Sequence, residues 1–275
     1  MNLRKFGCIL LILLNLSGCR SELLSSGSVM RSDGTGIHDK YGIPADLVRR
    51  ADLVLGKHPA SGFEYPWREL ENTLAAEKNE KLLLIGYGSL LNPESAARTI
   101  KDTPPEGHPP VLAFGAQRLF NYLIPDERIK SYGGNYGPRE RAALNLLYTR
   151  SAANIFNGRL LTVDIKDIPA LRTREFGYDL LPVVAVKWNH WNEEPFIAYV
   201  LVARKEIVNG RHVLDPQALP HPLYAQVCRA GAKMVSDSFL KMYLDTTYLA
   251  DRVTVMSSWE GKNPGKYENA LNEVH

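Results

Sequence analysis

A chain of 275 residues with 45% hydrophobic and 23% charged residues has the composition of an ordinary globular protein. Its formal net charge is only +3, and no block of arginine and lysine is interleaved with aromatics, so no nucleic-acid partner is expected. Beyond the first twenty residues there is no long apolar segment, internal repeat or heptad seam, which excludes a multispan membrane protein, a solenoid and a coiled coil.

The chain opens with Met1-Asn2-Leu3-Arg4-Lys5, an apolar run from Phe6 to Leu16, and Ser17-Gly18 before Cys19. A basic start, a short apolar stretch and a small-residue boundary form an export signal over residues 1–18. The run is too short to span a hydrocarbon core of about 30 Å. Leu16-Ser17-Gly18-Cys19 resembles a bacterial lipobox, in which the cysteine becomes the acylated first residue. That resemblance implies a lipoprotein with palmitate-type lipidation of Cys19 and a membrane anchor, at roughly 0.8 kcal/mol per buried CH₂. Arg20, standing where an aspartate would retain the protein at the inner membrane, implies the outer membrane, facing the periplasm. An ordinary signal peptide that merely contains a cysteine is the alternative. Of three cysteines, Cys8 leaves with the signal and Cys19 carries lipid, so Cys228 has no partner for an internal disulfide. It sits among Val227, Met234 and Val235 in a helical pattern, as a buried and inert thiol would.

Residues 19–43 read as the lipidated cysteine and a flexible Ser/Gly-rich tether. Residues 44–80 read as a helical N-terminal extension, with helices expected over Ala45–Leu55, after Pro44, and Pro66–Lys78. Lys81–Ile85 is a compact apolar strand running into Gly86-Tyr87-Gly88-Ser89, followed by a helix over Pro93–Ile100. Further strands are expected over Val111–Leu119, Ala142–Tyr148, Gly158–Val163, Leu180–Trp188 and Phe196–Ala203. Helices are expected over Ile168–Thr173, Pro222–Met234 and Ser236–Tyr248. This order predicts an α+β domain with a core over 81–205 and a C-terminal helical part over 206–275, not an alternating parallel sheet.

Several chemistries are absent from the pattern. The seven histidines form no HExxH or Cys/His ligand spacing, so no metal is expected, and no cofactor motif is present. Gly86-Tyr87-Gly88 lacks the rest of a dinucleotide fingerprint and the lysine of a P-loop, and Leu91 replaces the second glycine of a nucleophile elbow around Ser89. Two segments remain. The glycine-rich turn at residues 86–90 either gathers backbone N–H groups around an anion or is a plain strand-to-helix turn. Glu175, within Leu171-Arg-Thr-Arg-Glu-Phe-Gly-Tyr178, is either a solvated helix end or a carboxyl desolvated by Phe176 and Tyr178 and suited to acid–base work.

Taken in order, these segments resemble the γ-glutamylcyclotransferase-like family over about residues 82–203. Tyr87-Gly88-Ser89-Leu90 matches the family's Y-G-S loop, Val111–Asn121 its second strand, and Asn157-Gly158-Arg-Leu-Leu-Thr-Val its barrel strand. Ile168–Tyr178 matches the segment bearing the catalytic glutamate, and Phe196-Ile-Ala-Tyr199-Val a later strand. Two departures stand out: Arg172 where an aspartate is common, and Phe176 inserted between the glutamate and the glycine. The resemblance implies a small mixed β-barrel flanked by helices, with N- and C-terminal helical additions. It implies Glu175 as the catalytic residue and Tyr87, Gly88, Ser89 and Leu90 as the binding loop for a small γ-glutamyl-type substrate, which would release 5-oxoproline. A non-catalytic envelope lipoprotein that binds such a ligand in the same pocket is the alternative. Gly133–Pro138 reads as a solvent loop or a lid, and Arg118, Arg139 and Arg141 either as supplements to the carboxylate site or as surface arginines.

Overall fold

The computed structural model describes residues 36–57, 81–132, 136–175, 177–203, 207–208 and 211–268. From Ile37 on, these belong to one compact unit. The signal, Cys19, most of the tether, the helix expected over Pro66–Lys78, Phe176 and residues 133–135 of the glycine-rich loop lie outside the described residues.

In chain order the strands are β1 (Lys81–Gly86), β2 (Pro110–Phe114), β3 (Ala116–Leu123), β4 (Glu140–Tyr148), β5 (Ile155–Asp164), β6 (Tyr178–Lys187) and β7 (Phe196–Ala203). Four short ones follow: β8 (Ile207–Val208), β9 (Arg211–His212), β10 (Leu219–Pro220) and β11 (Thr247–Leu249). Helices are α1 (Ile37–Lys40), α2 (Ala45–Lys57), α3 (Pro93–Ala97), α4 (Asp126–Tyr132), α5 (Ile168–Arg174), α6 (Pro222–Lys233), α7 (Asp237–Asp245) and α8 (Met256–Lys262). The fold is the expected mixed α+β barrel with flanking helices. The barrel closes in the order β1-β5-β2-β6-β7. Its closing seam, between β1 and β7, is parallel with Leu84 opposite Tyr199. A second sheet runs β10-β4-β3-β11 beside it.

Both faces of β2 are covered, which explains why it reads as an unbroken apolar run and not as an alternation. In β2, Val111 and Ala113 join the core inside, while Leu112 and Phe114 pack outward with Val184 and Val186 of β6. That outer layer is sealed by Leu47, Ala51 and Leu55, spaced four apart along α2, and by Met242 of α7. Burying the two leucines contributes roughly 1.5–3 kcal/mol each, so α2 is an integral wall of the barrel.

Three expectations need correction. The run 111–119 is two strands in different sheets. Gly115, at φ +107°, turns the chain between them, and its carbonyl accepts the N–H groups of Thr149 and Arg150. The helix begun at Ser236 stops at Asp245, not Tyr248. The hydroxyls of Thr246 and Thr247 bond back to the carbonyls of Met242 and Tyr243, and Thr247–Leu249 leaves as a strand parallel to β3. The tether does not extend to residue 43: Ile37–Lys40 is helical, Ile43 is buried, and the Tyr41 hydroxyl donates to Asp245. No helix among the described residues is long and apolar enough to cross a membrane.

Candidate active site

The turn after β1 is built by close approach. A Cβ on Gly86 would lie 2.7 Å from the Leu90 Cβ and 2.8 Å from Leu161 Cδ1, so a side chain there would push the turn off the barrel end. Past Gly88, Ser89–Leu91 make one 3₁₀ turn, whose first bond runs from the Leu91 N–H to the Gly88 carbonyl at 2.9 Å. The N–H groups of Ser89 and Leu90 precede that bond and have no partner within the turn. Helix α6 backs the turn: a Cβ on Gly231 would lie 2.5 Å from both the Leu91 carbonyl carbon and the Asn92 nitrogen.

Tyr87 crosses the closing seam of the barrel. Its hydroxyl donates to the Leu201 carbonyl at 2.5 Å. Behind it lies Arg118, fully buried and held within one shell of oxygens. It donates to the Asn157 carbonyl at 2.7 Å and side chain at 3.0 Å, to the hydroxyls of Thr247 at 2.7 Å and Thr246 at 3.1 Å, and to the Tyr243 carbonyl at 3.1 Å. A longer contact of 3.5 Å reaches the Tyr87 carbonyl. Burial lowers its pKa to about 10, so it remains a cation at neutral pH. Arg118 is therefore no surface residue. Arg139 bonds the Gln217 carbonyl and Arg141 bonds Asp126, and neither lines the recess described next.

Glu175 caps the C-terminal end of α5. Its N–H donates to the Leu171 carbonyl at 2.8 Å, and its own carbonyl accepts from the Tyr178 N–H at 3.1 Å. Gly177, at φ +97°, completes the turn. This geometry directs the carboxyl inward rather than to solvent; its side chain is only 14% exposed. Glu175 and residues 87–90 line the same recess, with Leu144 of β4, Tyr178 of β6, Leu201 of β7 and Tyr224 of α6. The empty space, open mouth included, is about 300 Å³. Burial raises the pKa of Glu175, and the nearby Arg174 and Arg128 partly oppose that rise. Tyr87, Tyr178 and Tyr224 are held well above their ordinary pKa by burial, so all three present neutral hydroxyls. The Tyr178 hydroxyl donates to the Leu144 carbonyl, tying the barrel to the second sheet beneath the recess.

Ser89 is unsuited to act as a nucleophile. Its hydroxyl oxygen accepts from Arg174 at 3.1 Å, and no basic side chain is bonded to it in place of that cation. Cys228, buried behind Tyr224, has its thiol pushed up to about 12 by burial, which makes it inert. No cluster of His, Cys, Asp or Glu among the described residues has the arrangement of a metal site. Sequence reasoning missed Arg174, Leu144, Leu201 and Tyr224. The last three read only as ordinary core positions, and Arg174 was an unremarked letter beside the glutamate.

No sequence-family model matches the chain, and comparison with curated proteins finds no match. Among solved structures the chain is similar to a γ-glutamyl cyclotransferase, with 13% identity and a TM-score of 0.40 over 71% of this chain and 89% of that one. It is also similar to YkqA from Bacillus subtilis, with 12% identity and a TM-score of 0.43 over 62% of this chain and 55% of that one. An uncharacterized protein from Homo sapiens, loc79017, gives 14% identity and a TM-score of 0.38 over 60% and 86%. These are likenesses of fold alone.

Proposed function

We propose that the chain is a γ-glutamylcyclotransferase-like enzyme of the bacterial envelope, releasing 5-oxoproline from a γ-glutamyl peptide or amine. One observation carries this reading: a buried carboxyl, Glu175, shares a small recess with the backbone of residues 87–90, although the two segments are far apart in the chain. In such a reaction the substrate supplies its own nucleophile. Glu175 takes a proton from the α-ammonium group. The freed amine attacks the γ-carbonyl carbon, forming the ring C–N bond. The original amide C–N bond then breaks, Glu175 returns its proton to the departing amine, and the second proton of the ring nitrogen passes to the same amine, which leaves as an ammonium group. One carboxyl serves both steps because they occur in sequence, and a positioned group of this kind contributes about 10²–10⁴-fold.

The protein's remaining task is to bend the substrate into a ring-closing pose and stabilise charge. The N–H groups of Ser89 and Leu90 are suited to an α-carboxylate or to the oxygen of the tetrahedral intermediate. The rings of Tyr87 and Tyr178 keep water from the reacting amine. A burial-raised pKa suits Glu175 to exchange protons near neutral pH. The envelope location rests on the lipobox resemblance at Leu16–Cys19.

A second reading is a ligand-binding lipoprotein without turnover. One observation favours it: the Glu175 carboxylate already accepts from Arg174 Nε at 2.9 Å, which competes with a substrate ammonium group. The experiment that separates the two is 5-oxoproline release from a panel of γ-glutamyl amino acids and amines. The enzyme reading expects turnover that Glu175→Gln reduces by roughly 10²-fold or more while substrate still binds. Absence of turnover by the unmodified chain across the panel selects the binding protein.

A further inference from the structure

Arg174 makes an unusual set of bonds. Its Nη1 donates to the Ser95 carbonyl at 2.6 Å and to the Thr99 hydroxyl at 3.1 Å. Its Nη2 donates to the hydroxyls of Ser89 at 3.1 Å and Ser95 at 3.0 Å. Its Nε lies 2.9 Å from the Glu175 Oε1. A guanidinium carries five N–H donors in a rigid fork, and all five have a protein acceptor here. None is left for a substrate carboxylate.

The acceptors belong to three pieces of the chain: the binding loop (Ser89), helix α3 and its end (Ser95, Thr99), and the carboxyl of Glu175. A further arginine reinforces the arrangement, since Arg128 of α4 donates to the Arg174 carbonyl at 2.6 Å. We propose that Arg174 is a positioning residue, a clamp that fixes the Glu175 carboxylate and the Ser89 end of the binding loop in one frame. The proposal rests on the enzyme reading above, and it removes the objection raised there. An arginine committed to four other acceptors engages the carboxylate through Nε and Oε1, and Glu175 still lines the recess.

The clamp also has an electrostatic consequence. Glu175 is faced by Arg174 on its own turn, Arg128 and Tyr132 of α4, Tyr122 of β3, Tyr87 of the loop and Tyr178 of β6. Only the two arginines are charged at neutral pH, and both favour the carboxylate against the desolvation that disfavours it. Removing Arg174 therefore raises the proton affinity of Glu175 further. The acid limb of kcat/KM, which requires the carboxylate, moves to higher pH.

The test is a titration of the full-length chain carrying glutamate labelled with ¹³C at the side-chain carboxyl, with Glu175→Gln used to assign the signal. Arg174→Gln is expected to raise the Glu175 midpoint by about one to two pH units. Arg174→Lys, which keeps the charge but has a single donor head in place of the fork, is expected to restore most of the midpoint while turnover stays down roughly tenfold or more. An unmoved midpoint in folded Arg174→Gln overturns the clamp. If that variant does not fold, undiminished turnover in Arg174→Lys overturns it instead. The titration needs no turnover. A shifted midpoint without 5-oxoproline release upholds the clamp and rejects the enzyme, whereas release with an unmoved midpoint does the reverse.

Discussion

Gly231 offers a sharp test of how the turn at residues 88–91 is held. A helix-interior Gly→Ala change ordinarily stabilises a protein, since alanine gains about 1 kcal/mol in helix propensity. Here the sign should reverse. The new Cβ would stand 2.5 Å from the Leu91 carbonyl carbon, 2.5 Å from the Asn92 nitrogen and 2.7 Å from the Leu91 oxygen. Carbon contacts settle at about 3.5–4.0 Å, so a gap of roughly 1 Å must open between α6 and the backbone of the 3₁₀ turn. No side-chain rotation relieves backbone atoms. Overpacking of this kind costs about 1–3 kcal/mol, which leaves a net loss of up to about 2 kcal/mol after the propensity gain. For a domain of this size, that lowers Tm by up to about 8 °C. The turn that must yield is also the proposed binding loop, and a misplacement of about 1 Å can cost 10²-fold in rate. Thermal melts and 5-oxoproline release on Gly231→Ala measure both consequences. A higher Tm would refute the packing argument. A lower Tm with full turnover would show that α6 retreats and the loop stays, refuting the claim that α6 sets the loop.

Other outcomes follow from the same geometry. Because the pKa of Glu175 is raised in the folded state, its contribution to stability is fully present below its unfolded pKa of about 4.3 and is lost as pH rises through the folded value. Glu175→Gln should therefore melt higher than the unmodified chain at pH 7–8, with the difference vanishing near pH 4. A lower Tm at neutral pH would contradict this. Arg118→Met would strand the buried acceptors at Asn157 and Tyr243, at about 1–3 kcal/mol each. A net loss of about 3 kcal/mol lowers Tm by roughly 6–12 °C, and an unchanged Tm would mean that the cost of burying the cation cancels its bonds. Cys19→Ala should move the protein from the membrane to the soluble fraction, checked by fractionation and by the mass of the mature N-terminus.

Much of the barrel was legible because its strands are short apolar runs bounded by glycine, proline or charged residues, as in Lys81–Gly86 and Phe196–Ala203. What escaped was governed by tertiary contacts. The sheet switch at Gly115 hides inside an apolar stretch, and only its positive φ reveals the turn. The end of α7 is set by two threonine hydroxyls that a periodicity reading counts as helix. At the recess, residue type alone left Glu175 open between a solvated helix end and a desolvated acid, and the turn at 87–90 open between an anion site and a plain turn; their roles were legible only through the resemblance to a known family. Arg174 did not stand out, because an arginine near a helix end normally faces water. Its role depends on Ser89, Ser95 and Thr99, some eighty positions away.

The parallel closing seam of the barrel carries a consequence for how the protein assembles. The remaining barrel seams are antiparallel. The seam between β1 and β7 joins distant stretches of chain, and the bond from Tyr87 to Leu201 that spans it links residues 114 apart. Contacts that remote in sequence are slow to form, because chain entropy is lost before they repay it. The recess straddles this seam, with Tyr87 on one side and Leu201 on the other. The recess therefore depends on that remote contact, and a barrel that opens there loses its site at once. A half-zipped chain has no partial recess to bind with. A ligand seated across the seam acts as a fastener, worth about 2.7 kcal/mol at a hundredfold excess over its Kd.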